Sequence, residues 1–479
     1  MRRFKVESGN WAGGTRGENV LTLLVGGLGV SLCLVAMYQP VLLLALVLAG
    51  MLAILAFSRA SLSLKLVLLL GGIPMESLGA SEADPAQKPL LVTLGGTTVD
   101  GACLVVLSAC FALLLSSSGQ LSMPRRFRPY LYFVGFLALS LLYSGSRLDG
   151  LRLVLKVTYP VLVFFVTVKT IKTQQEIDSA LQYWIAGGLL ATLIGAAVFL
   201  VRGFSGFMWG GDFRYSSGLL HASPFSMYMF ALFGLCYGLW RAGRGGRFGA
   251  LAVVFGVQAL MSETRITWAA MAFGVLVIEG LMGKATRSLV RAAGTIVAIG
   301  TVFFYVMQHS IGLQHRLFGG ELDPGSSFAE MVQNVNVTGR TVVWAATYQD
   351  YWSHNHWIGQ GAGSSAPFLA GLFEQAGVPH NEYLRILHDI GVVGLALFLA
   401  GIIGLFRLLR SLLGKSITKQ QRLFVKVALA LLVGYSVIAI SDNPLDYYFF
   451  FSQYVFFCIG LATVAIPSEN RLPVPQGNR

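Results

Sequence analysis

Residues 389–408, DIGVVGLALFLAGIIGLFRL, decide the fold class: no charged side chain occurs between Asp389 and Arg407. A run of this length is what a helix needs to cross roughly 30 Å of hydrocarbon. Working outward, similar runs recur along the chain, near 20–38, 40–57, 61–75, 97–117, 128–144, 151–170, 178–201, 222–241, 248–262, 265–282, 288–308, 425–441 and 447–466. With 389–408 they make fourteen. The third and ninth are short, so tilted, broken or re-entrant segments are open and the expectation is 12–14 spans. With 479 residues, 55% hydrophobic and 12% charged, the apolar surface exceeds what one water-soluble core hides. The expected fold is all-α, a polytopic transmembrane helical bundle.

The net charge of +13 raises nucleic acid as a partner, so the positions of the 35 basic residues matter more than their number. Placing the N-terminus inside collects Arg2, Arg3, Lys5 and Arg16, then Arg125, Arg126 and Arg128, then Lys169 and Lys172, then Arg241, Arg244 and Arg247 on one side. Lys284, Arg287 and Arg291 join them, as do Arg407, Arg410, Lys415, Lys419, Arg422 and Lys426. Loops on the other side, 76–88 with Glu82 and Asp84 and 441–446, are neutral or acidic. That is the positive-inside pattern, with both termini cytoplasmic, and the surplus is a topology signal that leaves no reason for a nucleic-acid partner. Cys33, Cys103, Cys110, Cys236 and Cys458 lie in or beside apolar runs and read as small buried hydrophobes. Residues 1–19 lack an apolar core followed by a small-residue cleavage site, so the first span is expected to stay in the mature protein.

Residues 309–388 form an outward loop far longer than an ordinary connection, which divides the chain into 1–308, a bundle; 309–388, the loop; and 389–479, further spans and a tail. The loop holds Trp344, Trp352, Trp357, Tyr348, Tyr351 and Phe368. These aromatics are read as core packing, with stacking on sugar rings as the alternative. Val342, Ala345, Ala346 and Gln349 have helical spacing, so 341–351 is expected to be a helix within a cap folded onto the membrane.

His380, followed by Asn381, ends this loop. A lone loop histidine is usually structural, but its pKa suits proton uptake near neutral pH. Nine residues after Asn381 come Gly391 and, three on, Gly394; glycines so spaced at the head of an apolar helix permit close helix packing. Around them stand GRTVVW with Arg340, IGQGAG at 358–363, and PHNEYLRILHDIGVVGLALFL. This series resembles the O-antigen ligase and Wzy-type polymerase superfamily over about 309–405. Arg214, in the outward DFRYSSGLLHASP, resembles another element of that family. Arg265 in SETRITW does so less closely, because Thr264 precedes it directly.

The resemblance implies an inverting glycosyltransferase without a nucleotide sugar, acting at the periplasmic face of a bacterial inner membrane. Its donor is a glycan on undecaprenyl diphosphate, and its acceptor is a glycan, a lipid or a protein hydroxyl. Arg214, Arg340 and Arg265 would hold the leaving diphosphate by paired hydrogen bonds, while His380 receives the acceptor's proton. Snorkelling or ion pairing is the plainer reading of each arginine. Glu382 and Asp389 flank His380 and either orients the imidazole, accepts a sugar hydroxyl, or merely partners a helix dipole. His354 and His356 lack metal-ligand spacing, so no metal and no cofactor is expected. Asp100 and Lys156, charged within apolar runs, are set outside the site as partners across helices. Membrane lipids and other polysaccharide-assembly proteins complete the expected partners. A Wzy-type polymerase of O-antigen or exopolysaccharide is the favoured role, on the count of fourteen spans. Ligation to the lipid A core, protein O-glycosylation, and a transporter or flippase remain alternatives.

Overall fold

The computed structural model describes residues 64–65, 67–69, 91–94, 97–100, 123–202, 208–209, 212–213, 215–216, 222–282, 285–309, 340–373, 378–415 and 418–464. Expectations on other residues, among them the first two spans and Arg214, lie outside this set. The fold is helical. Its helices are α1 (Arg128–Leu139), α2 (Arg147–Thr170), α3 (Gln174–Arg202), α4 (Ala222–Arg241), α5 (Gly246–Met261) and α6 (Arg265–Met282). They continue as α7 (Ala285–His309), α8 (Arg340–Ser353), α9 (Ser365–Leu372), α10 (Glu382–Lys415), α11 (Lys419–Ile438) and α12 (Gln453–Thr463). Among the described residues α2, α3, α4, α6, α10 and α11 are long and apolar enough to cross a membrane. Gly246–Met261, Val290–Thr301 and Tyr448–Thr463 are apolar but shorter.

Two expected spans depart from a plain helix where they are described. The start of 97–117 is a strand, Thr97–Asp100, paired antiparallel with Leu91–Leu94. The β-branched run Thr97, Thr98, Val99 favours extended backbone, and Asp100 therefore belongs to a strand. A second, two-residue pairing joins Met208–Trp209 to Asp212–Phe213. The span expected at 128–144 ends early, because the chain tightens into a 3₁₀ turn over Ser140–Leu142 where Ser140 Oγ donates to the Leu137 carbonyl at 2.7 Å.

α4 lies at the centre of the bundle, buried from Ala222 to Leu239, as a helix apolar on all sides must be. α6 and α11 run antiparallel: Ala270 faces Gly434 and Gly274 faces Ala430. The basic segments meet at one end of the bundle. Arg126 Nη1 donates to the Arg407 carbonyl at 2.9 Å, Arg244 Nη2 to Gln420 Oε1 at 2.8 Å, and Arg241 Nη2 to Glu279 Oε2 at 3.0 Å.

The opposite end carries a cap, residues 340–373, fastened through backbone groups. α10 is broken at Ile390 and Gly391, whose φ is +69°. Into the break comes the chain from His356 to Gly361: Val392 N donates to the His356 carbonyl at 2.9 Å, Val393 N to Trp357 at 3.1 Å, and Gly361 N to the Asp389 carbonyl at 2.6 Å. Gly359, at φ +66°, has no room for a Cβ, which would sit 2.6 Å from the Asp389 carbonyl carbon. Gly391 is likewise pressed on Trp357 and Gly359. The paired glycines thus do not bring two helices together, as their spacing led us to expect. Gly391 opens the helix to a loop, and Gly394 accommodates the side chain of Ile390. Further bonds tie the cap to the end of α1: Tyr143 Oη donates to the Ile358 carbonyl at 2.8 Å and Ser144 Oγ to the Ala362 carbonyl at 2.9 Å.

Gly391→Ala should therefore cost about 1–3 kcal/mol through backbone strain alone, before the clash with Trp357. Thermal unfolding of detergent-purified protein should show a lowered midpoint; an unchanged midpoint would mean that the break does not hold the cap.

Candidate functional site

His380 sits between the cap and the bundle at the end opposite the basic segments. Trp344 Nε1, in the second turn of α8, donates to the Pro379 carbonyl at 2.7 Å. Asn381 caps α10, its Oδ1 accepting from Leu384 N at 3.0 Å. Glu382 N donates to the Ala439 carbonyl at 2.9 Å, joining this start to the end of α11. Between these anchors His380 is held at φ +49°, a conformation uncommon outside glycine. Its side chain is 41% exposed, so one face of the imidazole is open to a reactant.

The carboxylate at His380 is Asp442, at 3.5 Å from Nδ1. Glu382 and Asp389, the sequence neighbours for which this role was one of the readings, are engaged elsewhere. Asp442 is itself fixed, because Tyr447 Oη donates to its Oδ1 at 3.2 Å and Asn443 N at 2.9 Å. A buried, oriented carboxylate behind one ring nitrogen selects the tautomer and leaves the other nitrogen to accept a proton. The five-residue π-helical turn Tyr448–Ser452 follows at once, and Ser452 Oγ donates to the Pro444 carbonyl at 2.6 Å.

Beneath His380 runs a chain of alternating charges. Lys156 Nζ of α2 meets Asp446 Oδ1 at 2.7 Å, Asp446 Oδ2 binds Arg385 Nη1, and Arg385 Nη2 lies 2.6 Å from Glu382 Oε1. Glu382 Oε2 accepts from Leu445 N at 3.1 Å. Glu382 and Arg385 are buried, and their pairing offsets the cost of removing two polar groups from water. Burial pushes the Asp446 carboxyl up, but Arg385 and Lys156 outweigh it and hold the group well below the usual carboxylate range. The chain locks α2, α10 and the 439–447 turn in one arrangement. Sequence reading set Lys156 aside and did not single out Arg385, Asp442 or Asp446 for the site; the acidic 441–446 loop was the available signal.

A second histidine secures the cap. His388 is fully buried, with Nε2 2.8 Å from Asp350 Oδ2 of α8 and Nδ1 3.1 Å from Asp389 Oδ1. Asp389 also accepts from the backbone of Gly363 at 3.0 Å and of Ser365 at 2.9 Å. Asp389 is thus a structural carboxylate. His354 Nδ1 faces the Asp350 carbonyl at 2.9 Å and His356 packs its ring 4.4 Å from that of Trp352.

Arg340 and Arg265 open α8 and α6. Arg340 lies one turn before Trp344 on the same face, about 6 Å along the helix from the residue bonded to Pro379. Continuing the α6–α11 pairing of 270 with 434 and 274 with 430 sets Arg265 level with Ala439, the partner of Glu382 N. His380, Asn381, Glu382, Arg340 and Arg265 therefore share one end of the bundle.

Fold and site together define a polytopic helical membrane protein with, at one end, an exposed histidine backed by a buried carboxylate. The family described as O-antigen ligase matches residues 249–399, from α5 into α10, and the chain thus carries a domain consistent with the O-antigen ligase-like superfamily. That match supports membrane glycosyl transfer of the ligase and polymerase kind. No curated protein matches the chain. Arg265, Arg340 and His380 fall inside the matched stretch; Asp442, Asp446 and Lys156 fall outside it.

Removing one member of a buried charge chain strands the others, so Arg385→Ala should lose about 3–5 kcal/mol of stability. The depressed Asp446 carboxyl stabilises the fold above its unfolded pKa near about 4, and that contribution fades as pH falls. Unfolding midpoints measured from about pH 5 down to about pH 2 should decline, and less steeply in Asp446→Asn; parallel curves would contradict the chain's role.

Proposed function

We propose that this chain moves a glycan from undecaprenyl diphosphate to an acceptor hydroxyl at the periplasmic face of a bacterial inner membrane, with its termini in the cytoplasm. The observation that carries the reading is the His380–Asp442 pair, exposed on one side and anchored on the other. The acceptor hydroxyl gives its proton to the outer nitrogen of His380 as its oxygen attacks the anomeric carbon. The bond from that carbon to the diphosphate breaks, and the leaving group departs with the electron pair. Single displacement inverts the anomeric centre. Arg340 and Arg265, with Arg214 from the outward loop, take up the charge on the diphosphate, the task a metal ion performs in other transferases. Asp442 stabilises the imidazolium that forms.

The acceptor we favour is the sugar of another lipid-linked unit, which makes the chain a polymerase. Ligation to the lipid A core is the second reading, favoured by the description of the matching family. Material accumulating in a deletion strain separates them: single lipid-linked units mean lost polymerisation, long unattached chains mean lost ligation.

His380→Ala should lower transfer at least about 100-fold, the range of general-base catalysis, with protein levels in the membrane unchanged. Arg340→Ala should fail likewise, and Asp442→Asn should fall between. Normal product from His380→Ala would sink the reading.

A further inference from the structure

α8 carries a row that runs from the reacting end of the molecule to two aromatic residues that the reaction at His380 does not use. Arg340, Trp344, Tyr348 and Trp352 recur at intervals of four, a stripe along one side of the helix in steps of about 6 Å. The row begins where Trp344 bonds Pro379, next to His380, and leads away from it. Tyr348 is 47% and Trp352 53% exposed, so core packing does not account for them. Their rings meet nearly at right angles with centroids 5.9 Å apart, and His356 abuts Trp352 at 4.4 Å, which holds the aromatic surface stiff.

The surroundings of the row distinguish it from the lipid boundary. Exposed positions on α3, α5 and α6 carry aliphatic and aromatic side chains side by side, as Leu193, Leu200, Val253 and Phe273 do. Tyr348 and Trp352 are instead flanked by exposed Gln349, Ser353, His354 and Asn355. Rigid aromatic rings among hydrogen-bonding side chains suit a ligand that is apolar on one face and hydroxylated at its rim. A pyranose ring has that character, with its axial C–H bonds on the face and its hydroxyls around the edge.

We propose that Tyr348 and Trp352 form a glycan-binding row that holds sugars of the chain being transferred beyond the reacting residue. The proposal rests on the glycosyl-transfer reading and names where that substrate lies. Successive sugars stack on successive rings, so binding strengthens with glycan length until the row is covered. Ordering the distal sugars brings the reducing end to His380 without adding contacts at the bond that breaks.

The test uses detergent-purified full-length protein and oligosaccharides of graded length, released by mild acid from the producing cells' surface polysaccharide. Binding is followed by tryptophan fluorescence and calorimetry. Wild type should bind longer fragments more tightly. Tyr348→Ala/Trp352→Ala should bind the longest at least about tenfold more weakly and lose the length dependence, while Trp352→Phe keeps it. Equal binding by wild type and the double variant overturns the row. Brominated lipids in vesicles identify the alternative occupant: quenching that disappears in Trp352→Phe would place the ring in the bilayer and also overturn it. Because binding is read without transfer, a failed row leaves the His380 experiment standing, and a failed His380 experiment leaves the row measurable.

Discussion

The break in α10 at Ile390 and Gly391 is the constraint on which the rest depends. A continuous helix would satisfy its own backbone groups and offer none to the cap. By leaving helical geometry for two residues, the chain frees the amides of Val392 and Val393 and the carbonyls of His388 and Asp389, and the segment 356–361 pairs with all four. Backbone bonds in this number, buried under Asp389 and His388, fix the cap as firmly as a strand is fixed in a sheet. Once the cap is fixed, α8 has one position, and its Trp344 reaches the residue before His380.

Two charge clusters then divide the work. His388 with Asp350 and Asp389 binds cap to helix, and its imidazole has no exposed surface. His380 with Asp442 stands at the edge, half open, its conformation imposed by Pro379, Asn381 and the bond from Glu382 to Ala439. The Lys156–Asp446–Arg385–Glu382 chain carries rigidity from α2 to the start of α10. A side chain held this way in a sparsely populated backbone conformation is oriented at a cost in folding energy, and the proposed role of proton acceptor requires that orientation.

Much of this was legible in the sequence. Apolar runs placed α6 at its observed limits, and alternating basic loops anticipated the end where Arg126 meets Arg407 and Arg244 meets Gln420. The period of 341–351 gave the helix that became α8. His380 stood out because its neighbours form a motif. What stayed hidden were contacts between distant segments: Asp442 lies 62 residues from His380, and no local pattern pairs them. The glycine spacing pointed to helix packing because a positive φ and a loop pressed into a helix leave no periodic mark. The strands Leu91–Leu94 and Thr97–Asp100 hid within apolar composition, which β-branched residues and membrane helices share.

The central claim is that His380 and the arginines at the starts of α8 and α6 address one reacting centre. A cryo-electron microscopy structure of the full chain with its lipid diphosphate-linked glycan bound tests it most directly. The account predicts the diphosphate between Arg340 and Arg265, with the anomeric carbon turned toward the open nitrogen of His380. Density for the diphosphate at the opposite end, among Arg126, Arg244 and Arg407, or away from His380 altogether, would contradict it.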